Sequence, residues 1–170
     1  MNLIAFLADQ DKIPTIDENT LSNWNVREAV RVILFNEKGE IALMHIGKYD
    51  IYKLPGGGME HGETIEKAFV RELLEETGCE AEKIAEVGVT VEKRDDWKLI
   101  QVSHCYTAKV TKMGENHLDK GEVEEEFTLH WVKNIDEAIK LVESNKSKEY
   151  DNAYITLRDS EILKKAQENI

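Results

Sequence analysis

Apolar and polar side chains alternate with a period of two in several stretches of the chain, which is the pattern of strands with one buried face. Between residues 84 and 93, three valines occupy alternate positions, with glycine, threonine and glutamate between them. Residues 100–110 place aliphatic and aromatic side chains mainly on one face and small or polar ones on the other. Both segments are therefore predicted to be strands joined by a turn at residues 94–96, and residues 127–132 are predicted to form another strand.

Two more strands precede these segments and lead to a glycine-rich turn. Residues 29–35 and 40–46 are rich in β-branched and aliphatic residues, and residues 36–39 between them read Asn-Glu-Lys-Gly, a turn sequence. We therefore expect a hairpin. Residues 51–54 are predicted to be a short strand that ends where Pro55 and three glycines begin.

The apolar period changes to that of a helix in three places. Residues 64–77 are predicted to be helical, with Thr64 as the N-cap and Gly78 as the residue that ends the helix. Residues 136–143 and 154–166 are predicted to form two further helices. Most of the predicted elements are strands, with one helix between strands and two helices at the end. This order predicts an α/β fold in which helices sandwich a mixed sheet.

The composition is that of one globular domain. The 170 residues are 41% hydrophobic and 33% charged, and the longest apolar runs are far shorter than a membrane span. Residues 1–8 are apolar but lack the basic start of a secretory signal. We expect residues 1–22 to be an N-terminal extension that packs on a single domain of residues 23–170 or takes part in a dimer contact.

Charge and cysteine content narrow the range of partners. The net charge of −12 argues against binding to nucleic-acid backbone or to an anionic membrane, although bound divalent cations allow phosphorylated substrates. Two cysteines, Cys79 and Cys105, are too few for a disulfide scaffold, so a reducing, cytoplasmic location is expected.

A cluster of carboxylates near the end of the first predicted helix is the strongest sign of chemistry. Glu72, Glu75 and Glu76 fall within about 100° of helical arc, with Arg71 beside them. Hard oxygen ligands in such a cluster suit Mg²⁺ or Mn²⁺. A plain acidic helix surface would give the same spacing, so helix geometry alone leaves both interpretations open.

The glycines before this helix complete a more specific pattern. Residues 57–79 resemble the Nudix box of the Nudix hydrolases. The positions that carry the resemblance are Gly57, Glu63, Arg71-Glu72-Leu73, Glu75-Glu76, Gly78 and Cys79, separated by five, seven, one, one and no residues. Cys79 is the one departure, since the family usually has a bulky aliphatic residue there, and cysteine behaves as a small buried hydrophobe.

The resemblance implies the Nudix α/β/α sandwich with a mixed sheet. It also implies a divalent-metal-dependent hydrolase that cleaves a phosphoanhydride bond in a nucleoside diphosphate linked to another group, by default a nucleoside triphosphate or a nucleotide sugar. Two alternatives stay open, a non-catalytic Nudix nucleotide sensor and an enzyme similar to isoprenoid diphosphate isomerase. A homodimer is common in the family, but the sequence does not decide the oligomeric state.

The metal site is assigned on the same resemblance. Glu72, Glu75 and Glu76 are expected to bind Mg²⁺ or Mn²⁺, with the backbone carbonyl of Gly56 as a further ligand. Arg71 is expected to orient a carboxylate through a charge-assisted bond, although an ordinary ion pair within the helix is the simpler alternative.

Other residues are assigned around the metal. Glu63 and Gly57 are expected to support the site or contact phosphate without binding the metal, and Glu60 is a weaker candidate for metal contact. The general base is expected to be either Glu76 or Glu125, which lies in the predicted acidic loop of residues 111–126. Trp97 could stack on a nucleotide base or serve only in packing.

Overall fold

A seven-stranded mixed sheet forms the centre of the structure, a computed structural model that describes residues 2–9 and 16–168. The strands are β1 Leu3–Ala8, β2 Asn25–Phe35, β3 Ile41–Ile46, β4 Ile51–Lys53, β5 Cys79–Arg94, β6 Leu99–Met113 and β7 Phe127–Val132. Their order is β1-β5-β6-β2-β3-β4, and β7 pairs with β3. The pairs β1–β5 and β2–β6 are parallel and the other pairs are antiparallel.

Helices cover both faces of this sheet. They are α1 Glu18–Asn23, α2 Ile65–Thr77, α3 Lys120–Glu124, α4 Ile135–Glu143 and α5 Tyr150–Gln167, with one 3₁₀ turn at Asp95–Trp97. In the described part of the chain, none of these helices combines the length and the apolarity needed to cross a bilayer.

Alternate residues of β2 point into two separate cores, which explains the three layers. Val32 packs with Phe69 and Leu73 of α2 on one side of the sheet. Ile33 packs with Leu163 and other residues of α4 and α5 on the opposite side. The predicted α/β/α sandwich with a mixed sheet is thereby confirmed.

The observed bounds of the elements differ from the predicted ones mainly where a strand pairs with a long neighbouring strand. β5 begins at Cys79 rather than at residue 84, because residues 80–86 are mostly exposed but pair with β6. Cross-strand pairing can thus form a strand where the alternation of apolar residues is weak. The predicted loop of residues 111–126 contains the short helix α3, and α5 begins one turn before the predicted residue 154. The short helix α1 was not predicted.

The N-terminal residues add an edge strand to the sheet. Residues 3–8 form β1, which runs parallel to β5, and the Asp9 carboxylate accepts hydrogen bonds from the hydroxyls of Tyr150 and Tyr154, both at 2.7 Å. The predicted extension of residues 1–22 lies partly outside the described residues, and its division from a domain of residues 23–170 remains a prediction.

The glycine-rich segment after β4 is held against β2 by backbone hydrogen bonds. The amide of Val32 donates to the carbonyl of Pro55, and the amide of Val30 donates to the carbonyl of Gly57, both at 3.0 Å. Gly56 has φ of 122°, and a Cβ atom there would collide with the carbonyl oxygen of Val30. Only glycine fits this position, so the segment runs close to β2 before α2 begins.

The edge strand β4 is fixed from its open side by one amide side chain. Asn145, in the loop between α4 and α5, accepts a hydrogen bond from the amide of Tyr52 at 2.8 Å and donates to its carbonyl at 3.0 Å. These two bonds satisfy the backbone groups that an edge strand leaves unpaired.

We predict that Asn145→Ala destabilises the protein by about 1–3 kcal/mol, because it leaves both Tyr52 backbone groups without their partner. Urea unfolding followed by circular dichroism measures the change. Lys146→Ala, at the neighbouring exposed position, should cost less than about 0.5 kcal/mol. Equal losses in the two variants would contradict the role given to Asn145.

Candidate active site

Helix α2 begins and ends as its sequence predicts. The Thr64 hydroxyl accepts a hydrogen bond from the amide of Lys67 at 3.3 Å, and Gly78 ends the helix in the left-handed conformation with φ of 69°. Both predictions are confirmed. The carboxylates of the helix are therefore presented from a rigid element that is bounded at both ends.

Arg71 connects three carboxylates and one backbone carbonyl. Its Nε and Nη2 atoms each donate to one carboxylate oxygen of Glu63 at 2.9 Å, and Nη2 also donates to the carbonyl of Gly58 at 3.0 Å. Its Nη1 atom donates to Glu72 at 2.8 Å and to Glu75 at 2.9 Å. Arg71 thus connects Glu63, near the start of the box, with Glu72 and Glu75 at its acidic end. Its contacts therefore extend beyond an ion pair within the helix.

The remaining carboxylate, Glu76, is held by a different cation. One oxygen pairs with the ammonium group of Lys53 on β4, and the other accepts the amide hydrogen of Gly56 at 2.7 Å. Glu76 is only 2% exposed. A buried carboxylate of this kind is stable only with such partners, because burial removes its water.

Glu72 lies next to Glu76 and under the glycine segment. It is 6% exposed, and both burial and the negative charge of Glu76 raise the pKa of its carboxyl above the ordinary value. A Cβ atom at Gly57 would lie 2.5 Å from a Glu72 oxygen. The absence of a side chain at Gly57 therefore leaves room for this carboxylate.

The donor chemistry fits a hard divalent cation, while the carboxylates are at present bound to protein cations. Within residues 2–9 and 16–168, no three acidic, histidine or cysteine side chains already surround a common point that suits a metal. Glu75 is partly exposed and turned to Arg71, whereas Glu72 and Glu76 face one cleft. A bound Mg²⁺ or Mn²⁺ would reduce the electrostatic repulsion between these two carboxylates.

The cleft has a volume of about 730 Å³ and brings together residues from distant parts of the sequence. Of the predicted residues, those that line it are Gly56, Gly57, Glu60, Arg71, Glu72, Glu76, Trp97 and Glu125. Glu63 and Glu75 are not among the lining residues and contact the site through Arg71.

The acidic loop after β6 supplies two carboxylates to the cleft. Glu125 lines it and lies 4.0 Å from the ammonium group of Lys48. Glu122 also lines it and belongs to a capping box with Asp119 at the start of α3. Burial, and also the charge of Glu76, raise the pKa of Glu122. Glu122 is therefore a third candidate base beside Glu76 and Glu125, one that the sequence interpretation did not single out.

Aromatic side chains lie at another part of the cleft. Trp97 is about half exposed, and its ring centroid lies 5.7 Å from that of Tyr150 and 5.5 Å from the guanidinium carbon of Arg94. These contacts satisfy the packing interpretation of Trp97, and the exposed remainder of the ring still permits stacking on a base.

Several cations of the cleft were missed by sequence reasoning. The signal available was a single cation within an otherwise apolar run, as with Lys53 in residues 51–54 and Arg31 in residues 29–35. Arg94 at the end of β5 and Arg158 in α5 carry no such signal, since charged residues are common in both positions.

Comparison with known proteins identifies related sequences. A family model described as the NUDIX domain matches residues 25–152. A Bacillus subtilis (strain 168) protein provisionally named an 8-oxo-dGTP diphosphatase is 45% identical over 58 residues, which are 34% of this chain and 39% of that protein. An RNA pyrophosphohydrolase from Wolbachia sp. subsp. Brugia malayi (strain TRS) is 38% identical over 72 residues, 42% of this chain and 41% of that protein. The chain thus matches only about two fifths of the length of these relatives.

Solved structures with the same fold have low sequence identity. A hydrolase of the NUDIX family from Clostridium perfringens superposes with a TM-score of 0.53 at 16% identity, covering 82% of this chain and 97% of that one. A NUDIX hydrolase from Nitrosomonas europaea gives a TM-score of 0.59 at 19% identity, covering 79% and 89%. At these identities the likeness shows the fold.

The Glu63–Arg71 pair gives a pH-dependent prediction. Its bonds with Arg71 lower the pKa of Glu63 from 4.5 to about 2. A lowered folded-state pKa adds stability above pH 4.5, and this contribution is lost as the pH falls towards 2. Wild type should therefore exceed Glu63→Gln in unfolding free energy by about 1 kcal/mol at neutral pH, because the pair is partly exposed and screened.

That difference should shrink progressively between pH 4.5 and 2, as measured by urea unfolding at several pH values. Glu66→Gln, at an exposed position of the same helix, is the control and should show a small difference that is nearly constant with pH. A wild-type advantage over Glu63→Gln that persists unchanged at low pH would show that Arg71 does not lower the pKa of Glu63.

Proposed function

Because the chain belongs to the Nudix family, we propose that it is a divalent-metal-dependent hydrolase that cleaves a phosphoanhydride bond in a nucleotide. The observation that carries the proposal is the pair of buried carboxylates, Glu72 and Glu76, which face a cleft of about 730 Å³ beside a glycine segment that allows close backbone approach. Nudix hydrolases generally use divalent metals.

The proposed metal ligands are the side chains of Glu72, Glu75 and Glu76 and the carbonyl oxygen of Gly56. When bound, Mg²⁺ or Mn²⁺ would neutralise phosphate charge and lower the pKa of a coordinated water. The protein's own contribution is positioning. Arg71 keeps Glu72 in place, and the Gly56 amide with Lys53 fixes Glu76. Glu75 would have to turn from Arg71 to the cleft in order to join them.

Proton removal from the attacking water is assigned to a carboxylate of the cleft. We keep Glu125 as the proposed base and Glu76 as the alternative, and add Glu122 because its pKa is raised towards neutrality. A raised pKa makes a carboxylate a better proton acceptor at neutral pH. Glu60 lines the same cleft, so its carboxylate remains a weaker proposed candidate for metal contact, and its amide donates a hydrogen bond to Glu63 at 2.9 Å.

A nucleoside triphosphate or a nucleotide sugar is the proposed substrate. The related proteins carry names that refer to 8-oxo-dGTP and to RNA, both of which are nucleotide-type substrates. Trp97 offers an exposed aromatic surface in the cleft for a base. A small-molecule substrate also suits the net charge of −12, which disfavours binding to a nucleic-acid backbone.

The two alternative functions receive less support. A reactive cysteine in the pocket is what isomerase-type chemistry would need, but Cys79 and Cys105 are both buried and neither lines the cleft. Burial raises the pKa of Cys105 to about 12, which makes its thiol inert. A non-catalytic sensor differs from the hydrolase only in lacking turnover, so the activity assay below separates the two.

We propose a cytoplasmic location, since Cys79 and Cys105 are free thiols and free thiols persist in reducing compartments. The homodimer suggested by the family resemblance remains a prediction.

The proposed function predicts phosphate or pyrophosphate release from at least one member of a nucleotide panel with Mg²⁺, and none with EDTA. The panel should contain the common nucleoside triphosphates, 8-oxo-dGTP, nucleotide sugars and 5′-triphosphorylated RNA. Glu76→Gln should lower kcat by roughly 10²-fold or more, whereas Glu80→Gln, at an exposed position of β5, should leave it unchanged. Binding without release from any member would instead support the sensor.

The base assignment is tested by comparing three substitutions in the acidic loop. Glu125→Gln should lower kcat by roughly 10²- to 10⁴-fold if Glu125 accepts the proton. Glu124→Gln is the matched control, because Glu124 is exposed and does not line the cleft. A full kcat in Glu125→Gln together with a large loss in Glu122→Gln would transfer the role to Glu122, and full activity in both variants would leave Glu76.

A further inference from the structure

Arg31 is a buried cation that forms no ion pair with any residue that the structure describes. It lies in β2 and is 6% exposed. Its Nη1 atom donates to the carbonyl of Val30 at 2.7 Å, while its Nε atom has no hydrogen-bond partner. Among residues 2–9 and 16–168, no carboxylate forms a salt bridge with it. Buried guanidinium groups are rarely left in this state, because burial without a counter-charge is costly.

The neighbouring carboxylates bond to other arginines and leave Arg31 without an ion pair. Glu92 and Asp159 are the carboxylates with 0% exposure on this side of the sheet, and two other arginines already match them. Arg94 donates to Glu92 at 2.8 Å, and Arg158 donates to Asp159 at 2.7 Å and to Glu92 at 3.4 Å. Arg94 also pairs with Asp151, so three carboxylates accompany the three arginines, but all three bond to Arg94 or Arg158 and none forms an ion pair with Arg31.

A second unsatisfied donor belongs to the same region. Arg158 is 1% exposed, yet its Nη2 atom has no hydrogen-bond partner. Burial, and then the positive charge of Arg158, lower the pKa of Arg31 to about 10 against the raising effect of Asp159, Glu92 and Glu76. The two guanidinium groups therefore lie close enough to repel. Both remain charged at neutral pH, and a shared anion would satisfy both.

The two arginines lie in the cleft that is proposed to bind the substrate. Both line the same cleft as Glu72 and Glu76. The backbone of Arg31 also borders the glycine segment, since a Cβ atom at Gly56 would lie 3.2 Å from the Arg31 Cα atom. A ligand group held by Arg31 would thus lie next to the proposed metal site.

We propose that Arg31 and Arg158 form an oxyanion subsite on the floor of the cleft, which binds the terminal phosphoryl group of the substrate. A terminal phosphoryl group carries up to two negative charges and three acceptor oxygens, which suits two guanidinium groups with free N–H donors. In a nucleotide sugar the distal phosphate carries a sugar ester and a single charge, so it suits this buried site less well. The subsite therefore selects nucleoside triphosphates over nucleotide sugars, and this selection rests on the proposed function.

The binding step can be tested without metal or turnover. In EDTA-containing buffer, inorganic phosphate at several times its Kd should raise the Tm of the wild type by roughly 2–4 °C relative to chloride at equal ionic strength. Arg31→Met should lose this response and, in the chloride buffer, should have a higher Tm than the wild type, because it removes the unpaired charge. Lys109→Met, which removes the same charge at an exposed position of β6, should keep the wild-type response.

A second variant covers the case in which Arg31→Met does not fold. Arg31→Lys keeps the charge but loses the forked geometry, so calorimetric titration with phosphate should show binding that is weaker by at least several-fold than in the wild type. Equal responses of the wild type to phosphate and chloride, or an undiminished phosphate response in Arg31→Met or Arg31→Lys, would overturn the subsite.

A kinetic comparison then tests the substrate selection. The ratio of kcat/KM for a nucleoside triphosphate over a nucleotide sugar should fall by about tenfold or more in Arg31→Met or Arg31→Lys. An unchanged ratio, with phosphate binding lost, would overturn the assignment to the terminal phosphoryl group. Failure of the hydrolase proposal itself would leave the phosphate response intact, so the two failures are distinguishable.

Discussion

The ion pair between Lys53 and Glu76 is the contact on which the arrangement of the site depends. Buried carboxylates on one side of α2 can lie together only beside cations, and Arg71 supplies one from the helix itself while Lys53 supplies the other from the sheet. The strand that carries Lys53 is short and lies at the sheet edge. It is held by Asn145 and by Asp159, whose carboxylate accepts the backbone amide of the residue after Lys53 at 2.8 Å. Helix α2 on one face is thus coupled to α5 on the other.

The two faces of the sheet carry different kinds of interior. Against α2 the interior is apolar apart from Lys53 and the carboxylates near it, so this face positions the helix mainly by packing. Against α5 the interior is apolar at one end, where Leu163 lies, and ionic at the other, where Arg158 meets Glu92. A buried ionic cluster adds little net stability compared with an apolar core of the same volume. In this protein the ionic cluster instead keeps hydrogen-bond donors on the floor of the cleft. An apolar core of the same volume would fill that space.

The parts of the site that were predictable are those that lie close together along the chain. Helix spacing places Glu72, Glu75 and Glu76 on one stripe, and the box relates Arg71 to Glu63 eight positions earlier, a contact that the structure contains. The orientation of Glu75 was not predictable in this way, because a long flexible side chain turns to the nearest cation rather than to the position that helix spacing suggests.

By itself, the sequence determined the elements whose apolar pattern is strong, the two ends of α2 and the carboxylate cluster, because these depend on local backbone preferences and on residues within a few turns. Tertiary structure alone decided that Lys53 joins Arg71 at that cluster and that, among the described residues, Arg31 forms no ion pair. Lys53 reaches Glu76 across 23 positions, and Arg158 reaches Glu92 across 66. Such pairings follow from how strands and helices stack around a common interior, and no local spacing in the chain encodes them.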